Sequence, residues 1–98
     1  MLRHVVCLTW HPDATVDEVA AVQAALAELP ALIPELRAYA FGPDVGLAPG
    51  NADFAVVADF DDADGWRRYM EHPAHQAVIA DRIRPILKSR VAVQFPIE

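Results

Sequence analysis

One cysteine in 98 residues leaves no route to an internal disulfide, and Cys7 alone agrees with a reducing compartment. Glycine is scarce too, at four, and none sits in a phosphate loop, a GxGxxG turn or a GxSxG nucleophile turn, so chemistry built on those motifs has no footing here. Basic residues are outnumbered, eight Lys and Arg against 14 Asp and Glu, for a formal net charge of -6 at pH 7. With no basic stripe to neutralise phosphates, a nucleic-acid partner is excluded. No apolar run approaches the roughly 20 residues that cross a bilayer. The N-terminal MLRHVVCLTWHPD carries Arg3 and no small-residue cleavage site, so neither a membrane partner nor secretion is expected, and the location reads as cytoplasmic.

What is present is aliphatic. Hydrophobic residues make up 54% and charged ones 22%, the balance of a folded globule rather than of a disordered chain. A chain of this length buries roughly two-thirds of the surface exposed when unfolded, enough for one core without staples, so residues 1–98 read as a single domain. Residues 2–10 alternate: Leu2, His4, Val6, Leu8 and Trp10 share one face, Arg3, Val5, Cys7 and Thr9 the other. Both faces are largely apolar, the pattern of a strand covered on both sides.

After His11-Pro12-Asp13, Thr15 and Glu18 have capping-box spacing and open a helix. Val16, Val19, Val22, Leu26 and Leu29 form its apolar stripe and Pro30 is expected to end it. Residues 36–41 are a second strand, and 43–52 a connection rich in turn residues. Residues 53–60 are a third strand with Phe54, Val56, Ala58 and Phe60 on one face. Asp61 or Asp62 caps a short helix carrying Trp66, Tyr69 and Met70 at i, i+3 and i+4. Pro73 suits the first turn of another helix, whose stripe of Val78, Ile79, Ile83 and Ile86 is interrupted near Arg84 by Pro85. Residues 90–95 are the last strand.

The order β-α-β-β-α-β defines an α+β, ferredoxin-like fold, with a four-stranded antiparallel sheet and helices on one face. The other face, with Val5 and Cys7, is left apolar and bare, which calls for a homodimer joined sheet to sheet.

The first strand RHVV, the run VVADF into DDADGWRRY, the loop GPDVG and above all the tyrosine followed by MEHPAHQAV resemble the stress-responsive dimeric α/β-barrel family, often called Dabb. The likeness spans essentially the whole chain. It implies a dimeric α+β barrel with helices outside and a cavity between sheet and helices in each subunit. A plant member, olivetolic acid cyclase, closes a linear polyketide by cofactor-free aldol chemistry with a first-strand histidine, a tyrosine and the last histidine of its HPAH segment. The matching positions here are His4, Tyr69 and His75.

Strand alternation turns His4 to the same side as Val6 and Leu8, so if that face meets the helices it looks toward Tyr69 and His75. A desolvated His75 can take a proton alpha to a carbonyl. Tyr69 can hold the oxygen where charge develops, and His4 can orient either. The plainer alternative ties His75 to a backbone carbonyl and leaves Tyr69 as a core aromatic with a wet hydroxyl. His72 marks a helix start and faces solvent, and His11 lies at the surface. His72 and His75 are three apart, but no third metal ligand is fixed beside them, so neither a metal nor any other cofactor is assigned. Trp10 and Trp66 can flank an aromatic ligand, the plainer reading being that they belong to the core or its rim. Cys7 faces away from the histidines, which excludes a Cys/His nucleophile. Asp59, Asp61, Asp62 and Asp64 lack the glycine and glutamate of a calcium loop and read as caps and solvated charges. The expected function is a homodimer binding a small apolar carbonyl or aromatic compound, with aldol or cyclase chemistry if it is an enzyme. The alternatives are a non-catalytic stress-response dimer and a cofactor-independent monooxygenase.

Overall fold

The structure is a computed structural model describing Met1–Glu98. Strand β1 (Leu2–Trp10) is followed by helix α1 (Val16–Leu32), strands β2 (Ala38–Pro43) and β3 (Phe54–Phe60), helices α2 (Ala63–Glu71) and α3 (Pro73–Val78), and strand β4 (Leu87–Pro96). A π-helical turn, Ile79–Ile83, and a 3-10 turn, Arg84–Ile86, join α3 to β4. The sheet runs β2-β3-β1-β4 with every pairing antiparallel, the ferredoxin-like arrangement that the element order implies. No helix is long and apolar enough to cross a membrane.

Alternation along β1 divides the molecule. His4, Val6, Leu8 and Trp10 are buried under the helices, while Val5, Cys7 and Thr9 are half-covered on the open face. Beneath the helices, Phe54, Phe60, Leu26, Leu29, Ile33 and Val22 are the largest fully buried side chains, each contributing roughly 1.5–3 kcal/mol relative to exposure. On the open face the register sets Val93 beside Val5 and Val91 beside Cys7. Val91, Val93 and Phe95 are 71%, 54% and 41% exposed. Arg3 and Asp59 bridge the same face through two hydrogen bonds of 2.8 and 2.9 Å, and the guanidinium holds the Asp59 carboxyl below its usual range.

Several boundaries differ from the sequence pattern. Pro30 does not end α1; the helix runs to Leu32 and closes with Ile33 N–H on Leu29 O at 2.9 Å. A proline in the last turn forfeits only its own backbone bond, and buried Leu29 and Ile33 hold that turn down. Val16 is not part of the buried stripe: it is the first residue of the helix and is 86% exposed. Strand β2 lies two residues later than the 36–41 reading, because Arg37 N–H bonds Asp59 O and pairing proper starts at Ala38. Strand β4 starts at Leu87, since β1 supplies partners as far as Trp10. The thinning of the last helix near Arg84 takes the form of the π-helical and 3-10 turns.

The capping box is present, with Glu18 N–H donating to the Thr15 hydroxyl at 3.1 Å and Thr15 N–H to Glu18 Oε1 at 2.9 Å. Of the four aspartates only Asp62 caps, accepting from Gly65 N–H at 2.9 Å. The other three are ion-paired, Asp59 to Arg3, Asp61 to Arg37 and Asp64 to Arg67.

The contrast along α1 is testable by urea denaturation. Leu29→Ala should cost about 2–5 kcal/mol, as buried leucines do, whereas Val16→Ala should fall within about 0.5 kcal/mol of the parent. Equal losses would contradict this packing.

Candidate functional site

One row of residues across the sheet builds the site. Gln94 of β4 stands opposite His4 of β1, His4 opposite Ala58 of β3, and Ala58 opposite Tyr39 of β2. Facing residues share a side, so all four look toward the helices. Ala58 is the small member, fully buried, and over it Tyr69 descends from α2. Tyr69's ring centroid lies 6.4 Å from His4 and 6.2 Å from Tyr39. The Tyr39 and Tyr69 hydroxyls are 3.0 Å apart and hydrogen-bonded.

The link between α2 and α3 then delivers His75. His72 precedes Pro73 and is held extended, at φ -65° and ψ 132°, as a residue before proline prefers. Its N–H closes α2 on Tyr69 O at 3.2 Å, and its Nδ1 accepts from Ala74 N–H at 3.0 Å to open α3. His72 is therefore half-buried and doubly engaged rather than solvent-facing. This hinge sets the His75 ring against Tyr69, tilted by 44° with ring centroids 4.1 Å apart.

His4, Tyr69 and His75 line one cavity of about 260 Å³. Val6, Leu8 and Val56 of the sheet form its floor, with Leu26 of α1 and Ile79 and Ile83 of the π-helical turn opposite. The volume exceeds the roughly 150 Å³ that admits benzene and lies just under the usual range for drug-sized ligands. Its polar groups are few and mostly deep. Gln94 Nε2 sits 2.8 Å from His4 Nδ1, so with the amide donating, the neutral imidazole carries its proton on Nε2. Burial, reinforced by Arg90 and His75, lowers His4 from its ordinary 6.5 to about 4. Burial also lowers His75, against the opposing pull of the Met70 backbone, with Arg90 and His72 adding to the depression. His75 Nδ1 has no partner within strict hydrogen-bond geometry, while the Met70 backbone acts on the ring in the sense of the carbonyl tie envisaged as the plainer alternative. Burial pushes both tyrosines up, so at neutral pH each is a phenol able to donate.

The tryptophans do not flank the cavity. Trp10 packs on Phe54 with centroids 5.7 Å apart. Trp66 lies behind His4 at 6.0 Å, its indole Nε1 buried and unpartnered. No group of three or more His, Cys, Asp or Glu side chains has metal-holding geometry, and Cys7 lies on the open face of the sheet. Sequence reasoning missed Tyr39, Gln94, Arg84 and Arg90. Tyr39 and Gln94 become visible only once strand register is known, although the alternation Tyr39, Phe41 would have marked an inward face.

Comparison with known proteins agrees with the fold. Residues 2–97 match the family described as Stress responsive A/B Barrel Domain. An uncharacterized protein of Streptomyces coelicolor is 38% identical over 82 residues, spanning 82% of this chain and 84% of that one. The crystal structure of a dimeric ferredoxin-like protein of unknown function from Thermobifida fusca has a TM-score of 0.91 at 54% identity, covering 98% of this chain and 90% of that one. A hydroxynitrile lyase from Passiflora edulis has a TM-score of 0.84 over 99% of this chain and 93% of its own, at 17% identity, a likeness of fold alone.

The depressed imidazoles set a pH dependence. A histidine at 6.5 when unfolded and about 4 when folded leaves the unfolded chain binding more protons between those values, so stability is full above about pH 6.5 and falls toward pH 4. The loss from His4 alone is on the order of 3 kcal/mol once both forms are protonated. Urea titrations across this window should show the decline, and His4→Asn should flatten it; an undiminished slope in that variant would contradict the assignment.

Proposed function

The chain belongs to the stress-responsive A/B barrel family, and from that premise we propose that it binds a small, largely apolar carbonyl compound in the cavity and catalyses cofactor-free aldol closure of it. The observation that carries this reading is the Tyr69–His75 ring pair, 4.1 Å apart in the cavity that His4 also lines. A base kept uncharged lies beside a phenol kept protonated.

His75 Nε2 takes the proton alpha to the carbonyl, and the electrons of the broken C–H bond move onto the carbonyl oxygen. Tyr69 O–H donates to that oxygen as its charge grows. The Tyr39 and Tyr69 hydroxyls are hydrogen-bonded and either can be the donor; with Tyr39 donating, the Tyr69 proton is free for the ligand and is strengthened as a donor. His4, fixed by Gln94 with its proton on Nε2, is a second neutral donor for the same oxygen. The enolate carbon then forms a bond to a second carbonyl carbon of the same molecule, and the resulting alkoxide recovers the proton from His75. Atoms and electrons balance within one substrate.

The working unit in this proposal is a homodimer, two copies joined through the open sheet faces where Val91, Val93 and Phe95 are exposed. The Thermobifida fusca relative, more than half identical, is described as dimeric.

Two experiments test these points. In D₂O the protein should accelerate exchange of the methyl protons of acetophenone, followed by proton NMR. His75→Gln should reduce that rate about 10²–10⁴-fold and Tyr69→Phe about 10²–10³-fold, with circular dichroism and oligomeric state unchanged. Exchange as fast in His75→Gln as in the parent rejects the base assignment, and collapse of the dimer in that variant instead makes His75 structural. Light scattering should give the mass of a dimer for the parent and of a monomer for Val93→Asp; a monomeric parent rejects the sheet-to-sheet assembly.

A further inference from the structure

The irregular turns before β4 bring two arginines to the cavity. Arg84 and Arg90 are its only charged lining residues other than the neutral histidines, and no Asp or Glu lines it. Both are solvent-exposed, so they stand at its open side, while His4, Tyr69 and His75 lie deep. Neither is ion-paired: the chain's three salt bridges use Arg3, Arg37 and Arg67. A protein of net charge -6 thus presents a purely cationic wall at this one apolar hollow.

Local backbone geometry puts them there. In a regular α-helix the residue five positions after Ile79 would point about 140° away from it. The π-helical turn instead closes Arg84 N–H onto Ile79 O, an i to i+5 bond that stacks the two residues on one side. Arg84 and Ile79 consequently line the same cavity. Such turns forgo regular helix geometry and concentrate at functional sites. Arg90 reaches in from the other side, standing across from Leu8 on the inward face of β4, close enough to act on both His4 and His75.

We propose that the compound taken by this cavity is a keto acid, its apolar body and carbonyl inside and its carboxylate held at the mouth by Arg84 and Arg90. This rests on the carbonyl-binding reading above and narrows it to an anionic substrate class. Planar guanidinium forks match a carboxylate in two parallel hydrogen bonds, and the carboxylate would neutralise the unpaired charge without burying it. The same contacts fix which end of the ligand enters first, so that its carbonyl meets Tyr69 and His75.

The test compares 4-oxo-4-phenylbutanoate with its methyl ester, titrated by calorimetry into the intact protein at low and high salt. The acid should bind about tenfold more tightly than the ester, and the preference should shrink as salt rises. In Arg84→Gln and Arg90→Gln the ratio of the two affinities should fall toward one, and Arg90→Lys should restore part of it. Equal affinity for acid and ester in the parent, or a ratio untouched by both glutamine variants, overturns the keto-acid assignment while leaving the carbonyl pocket standing. Binding of neither compound overturns both.

Discussion

An imidazole set into an aliphatic wall costs free energy unless it gives up its charge and finds a hydrogen bond. His4 does both. Strand alternation allows it no other side: it shares a face with Val6, Leu8 and Trp10, all buried, and a register slip would carry every one of them outward. The Gln94 amide at 2.8 Å satisfies one ring nitrogen. A ring that is neutral and fixed in one tautomer becomes a directional donor, and the residues around it take their places from that. Tyr69 can descend beside it because the next position in the row is Ala58, and Tyr39 beyond that alanine shares a hydrogen bond with the Tyr69 hydroxyl.

The helical side is arranged by two departures from regularity. At His72 the chain leaves one helix and enters another within a single extended residue, whose own backbone and ring cap both ends. That abrupt change of direction lets Tyr69 and His75, six positions apart, meet ring to ring. At Ile79–Ile83 the π-helical turn changes which residues face the sheet. Between them the two breaks give a cavity that is apolar along its walls, uncharged but polar in its depth, and cationic at its mouth. Each region has a separate physical role: burial of a carbon skeleton, proton movement, and orientation.

Much of this was legible in the residues. The alternation of β1, the Thr15–Glu18 box, the spacing of Trp66, Tyr69 and Met70 and the proline at position 73 depend on local chemistry, and local chemistry is what a sequence displays. The sheet order and the inward turn of His4 follow from them. The remaining features are long-range. Gln94 and Tyr39 join the site through strand register, which links residues up to 90 positions apart in the chain. Trp66, placed correctly on α2, backs His4 instead of facing the cavity, because only the packed helix decides which of its inward residues reaches the hollow. Pro30 looked like a terminator, yet tertiary burial of Leu29 and Ile33 carried the helix past it. Arg84 was beyond reach for a further reason: helical periodicity assigns it to the outer face, and only the π-helical turn brings it in.

The account stands or falls on the ionisation of the imidazoles within the cavity. Nitrogen-15 NMR of the histidine side chains at about pH 5.5, where a free imidazole is mostly charged, reads charge and tautomer directly. The structure predicts a neutral His4 protonated on Nε2, with the unprotonated Nδ1 facing Gln94, and a His75 that gains its charge at lower pH than a free imidazole. A His4 signal already charged at that pH, titrating near its ordinary 6.5, would contradict the buried, uncharged site on which the chemistry rests.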